Sequence, residues 1–199
     1  MLQVIGRASS INVRKVLWTC AEIGLGFERV DAGADHAALN PNRLVPVIRD
    51  GEFVLWESNA ICRYLARQHG RSDLLPTEPR AQADVERWMD WQAGELNNAW
   101  RYAFMGLVRK SPAHTDAAQI ASSIAHWNRH IALLETRLQA TGAFITGTHF
   151  TLADVVLGLS VQRWWLAPID RPALPAVAGY HGRLLDRPGF RTWGANGDP

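Results

Sequence analysis

Asn40-Pro41-Asn42-Arg43-Leu44-Val45-Pro46-Val47-Ile48-Arg49-Asp50-Gly51-Glu52-Phe53-Val54-Leu55-Trp56-Glu57-Ser58-Asn59-Ala60-Ile61 decides the fold, because it reads as strand, tight turn, strand and helix in immediate succession. Val45 to Arg49 is β-branched and apolar, Asp50-Gly51 is a hairpin signal, and Phe53 to Trp56 pairs back as a second antiparallel strand. Pro46 enters the first of these strands, where a residue without an N–H is tolerated only at a start, an edge or a bulge. A cis Val45-Pro46 bond would turn the Val45 backbone outward and offer its N–H and C=O to an extended ligand. Ser58 stands where the strand pattern gives way to the helical period of Ile61, Tyr64 and Leu65, so it is the expected N-cap, and free amides there attract a carboxylate. Glu57, one residue earlier, is placed to receive an ammonium. A backbone edge, an anion hole and a carboxylate describe a pocket for a short peptide carrying both charged ends.

On the N-terminal side, Leu2 to Ile5 reads as a short strand. Val13, Val16, Leu17, Cys20 and Ile23 then recur at helical spacing over Asn12 to Ile23 until Gly24, and Phe27 to Val30 is extended again. A strand, helix and strand at this spacing imply a parallel pair with a right-handed crossover, to which the hairpin adds two antiparallel strands. The helix from Ser58 to His69 closes this half, and Arg71 to Pro79 reads as a linker. After it the pattern is helical. Arg80 to about Arg109 carries Val85, Trp88, Met89, Trp91, Leu96, Trp100 and Phe104, and Ala117 to Ala140 forms another long amphipathic helix. Phe150-Thr151-Leu152-Ala153-Asp154-Val155 is a helix start with Thr151 as N-cap, read as structural. A last helix is expected from Leu174 to Leu185, stopping at Pro188. The fold class is therefore α/β plus all-α, with residues 1–74 as the sheet domain, 71–79 as the linker and 80–199 as the helical domain.

With 199 residues, a chain of this kind buries roughly 70–75% of its unfolded surface. Apolar residues at 47% and charged residues at 20% exclude disorder as the default. A net charge of +2, with 21 basic residues scattered singly, gives no stripe for nucleic acid. The first residues are too short for a signal h-region and no apolar run approaches a membrane span, so a soluble cytoplasmic protein is expected. Cys20 and Cys62 fit apolar helix positions outside any Cys-x-x-Cys, which favours buried structural thiols over metal or dithiol chemistry.

Arg7-Ala8-Ser9-Ser10-Ile11-Asn12-Val13-Arg14-Lys15-Val16 joins the first strand to the first helix, and Ser10 falls at that helix's N-terminus. Taken alone, its hydroxyl reads as a cap. Together with Asn40-Pro41, Val45-Pro46, Leu55-Trp56-Glu57-Ser58-Asn59-Ala60-Ile61, Tyr64-Leu65 and Phe150-Thr151-Leu152-Ala153-Asp154, the chain resembles the cytosolic glutathione transferases over nearly its whole length. The first half resembles their thioredoxin-like domain and the remainder their helical domain. The resemblance implies that Val45, beside a cis-Pro46, binds the cysteinyl backbone of glutathione, that Glu57 and Ser58 hold its γ-glutamyl end, and that Arg43 and Asn59 are further contacts. For Arg43 a solvated loop position is an equal reading.

Ser9-Ser10 is similar to the serine-type active-site loop of theta, delta and zeta-like bacterial branches, in which one hydroxyl meets the glutathione sulfur. Spacing to Arg14 and Val16 resembles the delta pattern and points to Ser10. A Ser-Ser-x-x-x-Arg reading resembles the zeta pattern and points to Ser9, and Asn12 or backbone amides stand behind both. The family likeness implies glutathione as cosubstrate without a metal, a small hydrophobic electrophile as partner, a detoxifying role and a two-fold homodimer. It also admits a glutathione-dependent isomerase, lyase or dehalogenase, or a non-catalytic binding module. Residues 32–39 are shorter than the family's usual second helix and its approach, which bears on the ligand contacts made there. Trp100, Tyr102, Phe104, Trp164 and Trp165 are candidates to line the electrophile pocket, although aromatic residues at helical spacing are more often core.

Overall fold

The computed structural model describes residues 1–33 and 36–197, with backbone alone at 36 and 37. Four short strands, β1 (Leu2–Ile5), β2 (Phe27–Val30), β3 (Val47–Asp50) and β4 (Phe53–Trp56), form one sheet in the order β2-β1-β3-β4. β1 and β2 run parallel, linked by α1 (Ile11–Ile23), while β3 pairs antiparallel with both β1 and β4. This is the expected βαβ-ββα order, completed by α3 (Ser58–Gln68) after β4.

The hairpin differs in detail from its sequence reading. Asp50 still pairs with Phe53, so the two-residue loop is Gly51-Glu52 rather than Asp50-Gly51. Gly51 adopts φ 60, the positive value that the first loop position of a primed turn requires. The first strand also starts later than Val45, because pairing on both sides of β3 stops at Val47. β3 is an inner strand, so the open backbone at Val45 belongs to its lead-in and not to a sheet edge.

Of residues 32–39, Ala34 and Asp35 lie outside the described residues, and a single helical turn, α2 (His36–Leu39), follows. The segment after α3 is pinned rather than loose. Leu74 and Leu75 are buried, Leu152 N–H donates to the Leu74 carbonyl at 2.9 Å, and the Arg71 guanidinium reaches both Asp73 and the Glu22 carbonyl.

The long helix read from Arg80 to Arg109 is interrupted. α4 (Pro79–Trp91) passes through a π-helical turn at Gln92–Leu96 into α5 (Asn97–Leu107). α6 (Ala117–Thr141) packs on α5, and α7 (Leu152–Leu166) runs through the middle of the helical half, buried from Leu152 to Trp164. At its start Thr151 N–H donates to Asp154 Oδ2 at 2.8 Å while Ile145 N–H donates to Oδ1 at 2.9 Å, the structural role expected of this motif. Pro188 does not end the helical structure. After α8 (Pro175–Leu185) it opens α9 (Pro188–Trp193) as a first-turn proline, and Phe190 of α9 lies against Trp18 with centroids 4.9 Å apart. Trp18 of α1 also meets Phe150 at 5.5 Å, so one core joins sheet and helices. Among the described residues no helix is long and apolar enough to cross a membrane.

Gly6 ends β1 at φ 143, wedged between α1 and the loop before β3. A Cβ there would stand 2.5 Å from Val13 Cγ2 and 3.0 Å from Val45 Cβ, closer than packed carbons come. Gly6→Ala should therefore destabilise the chain by about 2–4 kcal/mol in urea unfolding, through strain and overpacking together. A loss below about 1 kcal/mol would mean that the two segments have room between them.

Candidate active site

The same close approach at Gly6 brings Val45 beside the first turn of α1. The Val45-Pro46 bond is cis, and no strand of the described residues pairs with Val45. Buried Asn40 holds the loop from within: its Nδ2 donates to the Leu44 carbonyl at 2.8 Å and its Oδ1 accepts from Asn42 N–H at 2.9 Å. The sequence reading quoted Asn40 without giving it this job. An Asx acceptor two residues before a backbone N–H was the available signal. A cavity of about 540 Å³ opens at the loop, lined by Arg7, Asp31, Arg43 and Val45 among others.

Ser10 is the N-cap residue of α1, but its hydroxyl makes no cap hydrogen bond. The cap reading of Ser10 is thus right in position and wrong in chemistry. The first amides of α1 are left to other partners, as at any helix start. Ser9 is half-buried one residue earlier. Asn12, also half-buried, faces a separate hollow of about 420 Å³ between α1 and α5, shared with Ile11, Asn97, Trp100 and Phe104. Of the five aromatic pocket candidates, Trp100 and Phe104 therefore border the same hollow as Asn12. Trp164 does not. It is buried, donates from Nε1 to Asn128 Oδ1 at 2.7 Å, and with Trp165 borders a different hollow on the far end of α7. Tyr102 turns toward His114, ring centroids 4.9 Å apart.

Before α3 the N-cap is Glu57 and not Ser58, which becomes the first helical residue. The cause is the backbone. Glu57 adopts φ 73 and ψ 108, outside the regions an L-residue favours, and with this bend the helix begins one residue earlier than a Ser58 cap would place it. Its carboxylate is exposed and caps nothing, while the Ser58 side chain is buried beside it. Arg43 also has positive φ, 56. Asn59 points away from this side: Oδ1 accepts from Lys15 Nζ at 3.2 Å and Nδ2 donates to the Met89 carbonyl at 2.8 Å. Both ends of its amide are engaged by protein, so it orients α3 rather than offering a ligand contact.

Sequence reasoning missed what Asn59 is bonded to. Lys15 sits wholly inside, and Nζ also donates to Gln92 Oε1 at 2.7 Å. Gln92 Nε2 donates onward to Asn97 Oδ1 at 3.0 Å and Ser160 Oγ at 2.9 Å. The π-helical turn carries Gln92 into this network, as such insertions often do at functional sites. Asn97 then borders the hollow beside Asn12. The signal was a lysine amid the apolar positions of α1. Burial also pushes the Cys20 and Cys62 thiols up, to about 12 and about 11, which fits the structural role expected of them. Among the described residues no cluster of side chains suited to a metal ion occurs.

Residues 9–68 match the family model for the glutathione S-transferase N-terminal domain, and residues 117–183 match that for its C-terminal domain. The chain is 37% identical to glutathione S-transferase GstB of Escherichia coli strain K12, over 96% of each chain. It is 32% identical to glutathione S-transferase 3 of Zea mays, over 86% of this chain and 90% of that one. Among solved structures, the theta class glutathione S-transferase of Xanthomonas axonopodis pv. citri with glutathione bound superposes with a TM-score of 0.89, at 36% identity, over 97% of this chain and 96% of that one. The chain belongs to the glutathione S-transferase family.

Burial lowers the Lys15 ammonium from 10.5 to about 8, with Cys62 and Glu57 opposing the shift and Arg163 and Arg63 adding to it. Between those pH values the unfolded chain holds a proton on Lys15 that the folded chain does not, so this group's contribution to stability rises with pH. Measured by urea unfolding, the stability of the wild type relative to Lys15→Met should rise by about 2 kcal/mol from pH 8 to pH 10. A difference that stays constant would show that the ammonium is not desolvated.

Proposed function

We propose that this protein is a glutathione transferase that joins the thiolate of glutathione to small hydrophobic electrophiles, and that residues 1–74 bind glutathione while residues 80–199 supply the electrophile's side of the cleft. The observation that carries the reading is the Ser10 hydroxyl, which stands at the start of α1 without capping it, on the helix whose first turn lies beside Val45 and borders the hollow at Asn12. The cysteinyl backbone of glutathione pairs with the Val45 backbone, beside Pro46. Its γ-glutamyl ammonium meets the exposed Glu57 carboxylate, and its γ-glutamyl carboxylate meets Ser58 and the first amides of α3. Arg43, beside the cavity at Val45, is suited to the glycyl carboxylate.

A free thiol of pKa about 8.5 is mostly protonated at neutral pH, and the thiolate is the nucleophile. The Ser10 hydroxyl and the opening amides of α1 favour the anion, each unit of lowering being worth about 1.4 kcal/mol. Ser9 and Asn12 are the alternatives for this role. The thiol proton leaves to solvent, a carbon–sulfur bond forms, and the leaving group departs with its bonding pair. Holding both reactants in one cleft adds a proximity gain. The proposed setting is the cytoplasm, in a detoxifying role, which two unpaired buried thiols support.

Ser10→Ala should lower kcat by about a hundredfold while glutathione binding changes little, because the hydroxyl acts on the thiolate. Full turnover in Ser10→Ala together with its loss in Ser9→Ala would move the role to Ser9. Glu57→Ala should instead weaken glutathione binding by about 1–3 kcal/mol, read by calorimetry. A protein that neither binds glutathione-agarose nor turns over any electrophile would overturn the reading.

The proposed assembly is a two-fold homodimer, and its support is family membership. The aromatic surplus of α4 does not add to it: Trp88 and Trp91 stand edge to face at 5.3 Å, Trp91 meets His130 at 5.6 Å, and the Arg137 guanidinium covers Trp88 at 5.7 Å, all within one chain. Leu44 and Phe53, 65% and 48% exposed, leave apolar surface on the sheet half for such a contact. Sedimentation at micromolar concentration should give twice the 22.2 kDa chain mass; a species at 22.2 kDa would exclude the dimer.

A further inference from the structure

The hollow between α1 and α5 carries charge that the transferase chemistry alone does not call for. Arg101 and His114 line it with Trp100, Phe104 and Met105, and among the described residues no carboxylate does. Behind this aromatic wall lies Arg163 of α7, 3% exposed, its guanidinium carbon 4.5 Å from the Trp100 centroid and 4.1 Å from that of Phe104. Arg109 covers Phe104 as well, at 5.3 Å. Burial first, then the charges of Arg14 and Arg109, push Arg163 down to about 9, which leaves it charged at neutral pH. Cations gathered about an aromatic wall create a positive potential at its face. Asp116, whose backbone N–H reaches Tyr102 Oη at 3.4 Å, uses its carboxylate to cap α6 through Gln119 N–H at 2.9 Å.

Guanidinium groups stack on aromatic rings in many cores, so Arg163 and Arg109 by themselves describe a wall. Arg101 is different, because it is exposed and borders the space where a second substrate would lie. Glutathione presents a thiolate and two carboxylates, and a second anion would approach it only where fixed cations offset the repulsion. We propose that the preferred electrophile is an anion: a flat apolar body lying on Trp100 and Phe104, with a carboxylate directed to Arg101 and His114, so that Arg101 determines specificity. This rests on the glutathione transferase reading above. With an aryl chloride the thiolate sulfur forms a bond to the chlorine-bearing carbon, chloride leaves with the carbon–chlorine pair, the thiol proton goes to water, and the carboxylate is unchanged.

The test compares 4-chloro-3-nitrobenzoate with 4-chloro-3-nitrobenzamide, each kcat/KM divided by the uncatalysed rate with glutathione at the same pH. The wild type should favour the benzoate by about tenfold at low salt, with the preference shrinking as sodium chloride is added. Arg101→Glu, at an exposed position that tolerates the change, should lower the benzoate-to-amide ratio by at least about tenfold. Arg129→Gln, an exposed change on α6 that removes a charge elsewhere, should leave the ratio in place. A wild-type ratio at or below one, or a ratio indifferent to Arg101→Glu, overturns the inference. Turnover of the amide without preference for the benzoate would defeat the anion preference alone and leave the transferase reading standing. Turnover of neither, with no retention on glutathione-agarose, would defeat both.

Discussion

The buried ammonium of Lys15 ties the two halves of the molecule together. A lone charged group in an apolar interior costs several kcal/mol, so it persists only where acceptors are held ready for it. Here they come from opposite sides: Asn59 from the start of α3 and Gln92 from the π-helical turn between α4 and α5. Each is fixed by a second bond, Asn59 to the Met89 carbonyl and Gln92 to Asn97 and Ser160. The network therefore sets the position of α3, which begins at the Glu57-Ser58 bend, against that of α5, which carries Trp100 and Phe104. A ligand lying between the sheet loops and the helical half meets walls whose spacing this one cation controls.

The proposed glutathione side of the cleft is built largely from backbone, and the chain holds that backbone in conformations it does not adopt freely. Arg43 and Glu57 both sit at positive φ without being glycine, a cost of about 1–3 kcal/mol each that the surrounding structure has to offset. The Asn40 amide bracing Leu44 and Asn42, and the wedge of Gly6 against Val13 and Val45, supply part of that offset at one end. The result is preorganisation, in which an extended peptide meets amides and carbonyls already pointing at it and little conformational freedom is lost on binding.

The sheet half was legible because its signals are local. The apolar runs Val45 to Arg49 and Phe53 to Trp56, a glycine at the turn and a proline at the strand entry constrain a few neighbouring residues, and the βαβ-ββα order follows from them. What escaped depends on distance in sequence. That β3 is an inner strand follows from its pairing with β1, some forty residues away, and that Ser58 is not the cap follows from the bend at Glu57. Pro188 reads as a stop in one dimension and acts as a start, because a first-turn proline lacks only an N–H that would be unpaired in any case. Lys15 gives no hint of its partners, since Asn59 and Gln92 share no periodic relation with it.

Trp100 shows why the second substrate's side is the hardest to read from sequence. Its ring is 8% exposed, so by burial it is core, and it packs on Phe104 and Trp127 as core residues do. It nevertheless borders the hollow at Asn12, while Trp164, just as apolar in pattern, faces elsewhere. Trp100 follows the π-helical turn, which alters the angular phase of α5 relative to α4, whereas Trp164 stands on α7. At about 100° per residue an unbroken helix would turn Trp100 about 120° from Trp88 and about 180° from Trp91, off their stripe, and the inserted turn shifts that phase again. On α5, Phe104 lies under Arg163 and Arg109, and Arg101 stands at the open side of the hollow. The charge of that hollow therefore comes from α5 and the segment after it, Arg101 and His114, and not from the turn at Gln92 to Leu96.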